Sequence, residues 1–215
     1  EIIDSDTKGI VLSGSPLSVE DQNGLRPDPT LFESEIPMLG ICYGFHVIVE
    51  HFKGSVRSLP TKEYGRASVQ YTKSDELFTK IPDQFTAWMS HGDSVETLPD
   101  SFKNIAKSEN HIAAAKSSSR KIYGIQFHPE VTHCEYGTEL LENFACTICH
   151  AKKEWDMETY LTQIGAEIKS IVKDRTILLL ISGGVDSTVV AALLLQIVDP
   201  EQLFLLHIDT GLMRK

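Results

Sequence analysis

Cysteine is scarce in this chain. Four thiols, Cys42, Cys134, Cys146 and Cys149, are spread unevenly over 215 residues, which excludes the disulfide framework of a small secreted protein and suits free thiols in a reducing compartment. Long apolar runs are missing as well. The longest, around Ile177–Ile181 and Val189–Val198, are too short to cross a bilayer. The chain opens on Glu1-Ile2-Ile3-Asp4-Ser5-Asp6, without the basic region and apolar core of a secretory signal. A cytoplasmic location and no membrane partner are therefore expected. Positive charge is also in deficit: 20 Lys and Arg stand against 30 Asp and Glu, a net charge of -10. Such a chain does not neutralise a nucleic-acid backbone, so no nucleic-acid partner is expected, and a small anionic ligand needs a local cradle.

What is present reads as ordinary globular protein, 41% hydrophobic and 23% charged, with length enough for two modest domains. Gly9–Leu12 and Pro37–Ile41 are short apolar runs ending in Gly, Ser or Cys, the pattern of buried parallel strands feeding loops. Phe45, Val47, Ile48 and Phe52 predict a helix that Gly54 closes. Strands are predicted over 66–72, 85–89, 103–106, 112–115 and 122–127, and a helix from about Thr138 to Ile148. Beyond Ala151-Lys152-Lys153 the pattern changes. Behind an Asp156 N-cap, Tyr160, Leu161, Ile164, Ile168, Ile171 and Val172 recur at helical spacing. A strand at Ile177–Ile181, a glycine turn at Ser182–Asp186, a helix at Ser187–Val198 and a strand at Leu203–Ile208 complete one βαβ module. The expectation is two domains, 1–152 and 153–215. A lone βαβ cannot bury both faces of its sheet, so the chain is expected to be a fragment of a longer protein.

Gly40-Ile41-Cys42-Tyr43-Gly44 lies between an apolar strand and a helix, a nucleophile elbow with Cys in place of Ser. The turn sets the thiol at a helix N-terminus, where the dipole favours thiolate, and places the Tyr43 N–H as an oxyanion donor. A buried structural cysteine would occupy the same place. What favours catalysis is Gln126-Phe127-His128-Pro129-Glu130 at the end of another strand, where a His can serve as base and a carboxylate can orient its ring.

Leu39-Gly40-Ile41-Cys42-Tyr43-Gly44, Ser90-His91-Gly92-Asp93 and Phe127-His128-Pro129-Glu130 together resemble the class I glutamine amidotransferase family over nearly all of residues 1–150. The resemblance implies a flavodoxin-like α/β domain in which Cys42 attacks the side-chain amide of glutamine, with His128 as base and then acid and Glu130 orienting it. It also implies that Ser90 and Gly92, with His91 between them, hold the glutamine backbone groups. Two positions depart from the family pattern. Ser13-Gly14-Ser15-Pro16 stands where Ser-Gly-Gly-Pro is usual, so Gly14 contacts substrate and Ser15 supplies the second oxyanion N–H only if its backbone avoids positive φ. His46 stands where a glutamine-contacting Gln is usual. The strand and turn with which the family begins have no counterpart before Glu1.

Ser182-Gly183-Gly184-Val185-Asp186-Ser187 lies between an apolar strand and an apolar helix, a context that holds phosphate through backbone N–H groups. It lacks the Gly-Lys-Ser/Thr ending of a Walker A loop. A tight βα turn with a Ser cap is the plain alternative. The six residues resemble the PP-loop of ATP pyrophosphatases, a doubly wound parallel-sheet family, which implies ATP bound there with Mg²⁺ held in part by Asp186. His207-Ile208-Asp209-Thr210-Gly211-Leu212-Met213-Arg214-Lys215 is similar to a stretch of the GMP synthase family, with Thr210 and Leu212 in place of Asn and Phe. A class I glutaminase followed by a PP-loop is that family's arrangement. It implies glutamine, ATP and xanthosine monophosphate (XMP) as substrates, and a homodimer formed through a C-terminal domain beyond Lys215.

Other signals are set aside. Cys146-Thr147-Ile148-Cys149-His150 matches a haem-attachment pattern but ends an amphipathic helix, so neither haem nor zinc is expected. Cys134 beside His133 has no glycine elbow. His91 competes with His128 as base but lacks a carboxylate two residues on. A glutaminase component for another product, and a catalytically weakened pseudo-amidotransferase, remain as alternatives.

Overall fold

The computed structural model describes residues 3–21, 24–71, 75–208 and 211. The chain divides into two compact units, Glu1–Lys152 and Lys153–Lys215. In the first, β1 (Ile10–Leu12), β2 (Met38–Ile41), β3 (Ser55–Tyr71), β4 (Gln84–Thr97), β5 (Phe102–Lys107), β6 (Ile112–Ser117) and β7 (Ile122–Ile125) form one mixed sheet in the order β1-β2-β7-β6-β5-β3-β4. The β1-β2-β7 end is parallel and all other pairs are antiparallel. The change of sense has a sequence basis. Every residue of β2 and β7 is buried, as suits parallel strands covered on both faces, whereas β4 alternates and shows its polar side to water.

The two sheet faces carry separate apolar clusters. On one, Leu39, Ile41, Tyr123 and Ile125 pack with Leu140, Phe144 and Ile148 from α2 (Gly137–Glu142) and the wide π-type turn that continues it through Asn143–Ile148. On the other, Met38, Ile122 and Ala115 meet Phe45, Val47, Ile48 and Val49 of α1 (Tyr43–His51). The predicted helix over 138–148 is thus present with its second half widened. There the buried Asn143 amide donates to the carbonyls of Leu77 and Thr79 at 3.0 and 2.8 Å.

The β3–β4 hairpin is much longer than expected. Its outer half is polar and half-exposed, with Glu63, Tyr64 and Arg66 on β3, so it carries no apolar signal. Register fixes it nonetheless: Glu63 pairs with His91 and Tyr64 with Ser90, which sets the Ser90–Asp93 motif inside a strand. Thr72, expected to end β3, lies outside the described residues.

The second unit holds α3 (Met157–Val172), β8 (Ile177–Leu180), α4 (Val185–Ile197) and β9 (Leu203–Leu206), with β8 and β9 parallel. Asp156 caps α3 as expected, accepting from the Thr159 N–H at 2.7 Å. Helix α4 begins at Val185, earlier than the predicted Ser187, because Gly184 rather than the Asp186–Ser187 pair takes the cap position. Leu178, Leu180, Phe204, Leu205 and Leu206 are exposed, since two strands and two helices cannot cover both faces of such a sheet.

Close approach between α1 and the sheet decides the geometry of the first unit. A Cβ at Gly44 would lie 2.0 Å from the Leu12 carbonyl oxygen, and one at Gly40 would lie 2.6 Å from the Gly44 backbone. Gly44→Ala is therefore expected to destabilise the protein by about 1–3 kcal/mol through overpacking against backbone that cannot yield. Urea denaturation checks this, and an unchanged midpoint would show that the helix can lift without cost.

Candidate active site

Cys42 closes the strand β2 and starts α1. Its φ is 50° with ψ -105°, a left-handed backbone costly for a residue with a Cβ. The strain is held from both sides: the Cys42 N–H donates to the Ile125 carbonyl at 2.8 Å, and the Cys42 carbonyl accepts from the His46 N–H at 3.1 Å. The sulfur donates to the Ser90 carbonyl at 3.9 Å and accepts from Gln126 Nε2 at 3.7 Å. Burial pushes this thiol up to about 11, while the Tyr43 N–H and Gln126 pull the other way and the carboxylates of Glu130 and Asp93 add to the rise. The thiolate expected from the helix N-terminus is thus not the resting form. Desolvation outweighs the dipole, and the proton must leave during reaction.

His128 follows β7, its N–H held by the Trp88 carbonyl at 2.9 Å. Its Nδ1 lies 2.6 Å from Glu130 Oε1. A carboxylate only accepts, so Nδ1 carries the hydrogen and Nε2 holds a lone pair. That Nε2 is buried and without a hydrogen-bond partner. Gly14 brings the two side chains to one wall: a Cβ there would lie 3.0 Å from His128 Cε1 and 3.8 Å from Cys42 Cβ.

A cavity of about 340 Å³ opens on Cys42 and is lined by Ser15, Tyr43, His46, Ser90, His91 and Gly92 among others. Ser15 is absent from the positive-φ residues, so the serine sits there without strain, and its hydroxyl accepts from the Leu17 N–H at 3.2 Å. His46 is buried, and its Nε2 is 2.8 Å from Gln126 Oε1. His91 is committed elsewhere: Nδ1 meets the Asp93 carbonyl at 2.9 Å and Ser94 Oγ at 3.2 Å, and Nε2 stands 3.6 Å from Glu63 Oε2. Neither nitrogen is paired with Cys42 or Glu130.

Three residues escape a reading of the sequence. Gln126 bridges His46 and Cys42. Arg26 Nη1 donates to the Tyr43 hydroxyl at 2.7 Å while Nη2 reaches Glu50 at 2.9 Å and the Val19 carbonyl, tying the segment after β1 to α1. Glu63, bound by Ser108 Oγ at 2.8 Å, backs the strand carrying Ser90. Gln126 stands two residues before His128 and could have been found there; Arg26 and Glu63 lie far from their partners in sequence and give no signal.

In the second unit Ser182, Gly183, Gly184, Val185, Asp186 and Ser187 form a largely exposed turn into α4, with Gly183 at φ 82°. Ser182 Oγ accepts from the Gly184 N–H at 3.3 Å and meets Ser187 Oγ at 3.2 Å. His207 Nδ1 donates to the Ile181 carbonyl at 2.8 Å. Asp209, Thr210 and 212–215 lie outside the described residues. Among the described residues no cluster of three His, Cys, Asp or Glu side chains could hold a metal ion.

A family model for class-I glutamine amidotransferases matches residues 1–148. The chain belongs to the class I glutamine amidotransferase family. Curated relatives in Syntrophomonas wolfei and Bacillus subtilis, both called glutamine-hydrolysing GMP synthase, are each 42% identical to it over 216 residues. The match takes in the whole of this amidotransferase chain but spans only 42% of each relative's length. Among solved structures, a Thermoplasma acidophilum protein assigned to GMP synthase is 31% identical, with a TM-score of 0.58, covering 68% of this chain and 74% of that one. A glutamine amidotransferase from Methylobacillus flagellatus shares the fold at 20% identity and a TM-score of 0.50, covering 66% of this chain and 57% of that one.

Burial holds the His46 imidazole below its ordinary value of 6.5, against the pull of Gln126. The folded protein therefore takes this proton less readily than the unfolded chain. The contribution is neutral above about pH 6.5, and stability is lost as pH falls below it. His46→Gln should flatten the fall in urea midpoint between pH 7 and pH 5. An equally steep fall in the variant would show that His46 protonates without cost.

Proposed function

We propose that this chain carries the glutamine-hydrolysing part of a GMP synthase, with Cys42 as nucleophile and the Ser182–Ser187 loop as the start of its ATP-binding part. The observation that carries the first half is the pairing of a strained, buried Cys42 with an imidazole whose Nδ1 is fixed by Glu130 and whose buried Nε2 is unpartnered. In this reading the Sγ proton passes to His128 Nε2 as sulfur bonds to the glutamine Cδ. The oxyanion is met by the N–H groups of Tyr43 and Ser15. On collapse the C–N bond breaks, His128 returns the proton to the leaving nitrogen, and ammonia departs from a glutamyl thioester. Water, deprotonated by His128, then releases glutamate and restores the thiol. Gly14, His46, Ser90, His91 and Gly92 shape the glutamine pocket. The unstrained Ser15 weighs against a weakened pseudo-amidotransferase.

What supports the second half is that the relatives called GMP synthase match through residue 215, past the glutaminase unit. In this reading ATP activates XMP, and ammonia displaces AMP to give GMP, with pyrophosphate as the other product. The exposed Ser182, Gly183, Gly184 and Val185, with the half-buried Ser187, suit a phosphate group through backbone N–H and hydroxyl donors. Asp186 offers one carboxylate in the first turn of α4, which fits Mg²⁺ arriving with the nucleotide rather than a preformed protein site. The cation would neutralise phosphate charge there.

In the full-length protein, Cys42→Ala should abolish glutamate release while ammonia-driven GMP formation from XMP and ATP persists. His128→Ala should slow glutamate release by about 10²–10⁴-fold. Intact glutamate release in Cys42→Ala would overturn the nucleophile, and no GMP formation from ammonia in the wild type would overturn the synthase reading.

A further inference from the structure

We infer that Gln126 is a catalytic residue of this site, donating its amide N–H to the Cys42 sulfur as the thiolate forms, and that His46 is the residue that positions it. The inference rests on the reading of Cys42 as nucleophile. Gln126 is fully buried, and a buried primary amide needs partners at both ends. It has them: Oε1 lies 2.8 Å from His46 Nε2, and Nε2 lies 3.7 Å from Cys42 Sγ. The His46 end fixes the orientation of the amide. The Gln126 carbonyl oxygen only accepts, so His46 presents N–H at Nε2, as a neutral imidazole buried on α1 can. The amide NH₂ is then turned on the sulfur.

The charges around the sulfur show why a donor matters there. From β4, Asp93, and from the segment after β7, Glu130, both oppose a negative sulfur. His46 on α1 is held toward its neutral form by burial, as is His91 on β4, so neither supplies a positive charge. His128 takes the proton but is also the group that must give it up again. The Tyr43 N–H and the Gln126 amide are the groups that favour the thiolate. A hydrogen bond to an ionised sulfur is stronger than one to a thiol, so Gln126 gains hold as the proton leaves. The amide is also one residue beyond β7, where Ile125 receives the Cys42 N–H, so donor and nucleophile are fixed to the same strand end. The opposite amide orientation would turn Oε1 on the sulfur and oppose the thiolate. His46 thereby acquires a task that a substrate contact does not explain: its Nε2 faces Gln126.

The test is the pH profile of Cys42 alkylation by iodoacetamide in the full-length protein. The Cys42 peptide is followed by mass spectrometry, separately from Cys134, Cys146 and Cys149. Gln126→Met keeps the volume and removes the donor. It should raise the alkylation midpoint by about one pH unit and slow the reaction about tenfold at fixed pH below it. Gln126→Glu, isosteric with the native residue and without an N–H, should raise it further. His46→Leu should behave like Gln126→Met, and His46→Gln, which can still donate to Oε1, should return the midpoint towards wild type. A purely packing role would lower stability and leave the midpoint in place. An unchanged or lowered midpoint in both Gln126 variants would overturn the proposal, and an unshifted His46→Leu would overturn the positioning role. Failure of the nucleophile reading shows instead in glutamate release by Cys42→Ala, which does not depend on the alkylation profile.

Discussion

The first unit is organised by how closely α1 lies against the ends of β1 and β2. Backbone meets backbone there: Gly44 faces the Leu12 carbonyl and Gly40 faces Gly44, with no room for a side chain at either position. Because the helix cannot stand off, the residue between strand and helix is driven into the left-handed region, and that residue is Cys42. Buried apolar packing of Phe45, Ile48 and Val49 against Met38 and Ile122 maintains the contact and so maintains the strain. The nucleophile is thus positioned by the core, and the loops only complete the pocket around it.

The same burial sets the chemistry at odds with itself. A thiol enclosed this deeply is held in its protonated form, yet a sulfur left at the surface would not face the lone pair of His128 in a dry cavity. Resolution comes from groups that act only when charge moves. The unpartnered His128 Nε2 takes the proton, and the N–H groups aimed at the sulfur and at the oxyanion position gain strength as negative charge develops. A resting thiol with these donors already in place needs little rearrangement to react.

Local patterns are legible in the sequence where burial is two-sided or where a motif is contiguous. β2, β7 and α1 announce themselves by unbroken apolar residues, and Cys42, His128 and Glu130 by their spacing within short motifs. The β3–β4 hairpin is not legible, because Glu63, Tyr64 and Arg66 alternate with small residues on a half-wet surface and look like loop. The state of the thiol escapes as well. Elbow geometry predicts a helix dipole acting on sulfur, but the competing desolvation depends on how much protein covers the site, which is a tertiary quantity. Arg26 and Tyr43, seventeen positions apart, meet only once the chain after β1 has folded back on α1.

The two departures from the family pattern have different physical standing. Ser15 keeps a negative φ, so its extra Cβ and hydroxyl are absorbed by the local turn and the backbone donor is retained. His46 changes the connectivity of the site. An imidazole is shorter and stiffer than a glutamine side chain, and here its Nε2 faces the Gln126 amide that in turn faces the sulfur. A substitution that by sequence looks like a loss of substrate affinity therefore bears on the nucleophile instead, through a buried chain of two hydrogen bonds in which each member fixes the orientation of the next.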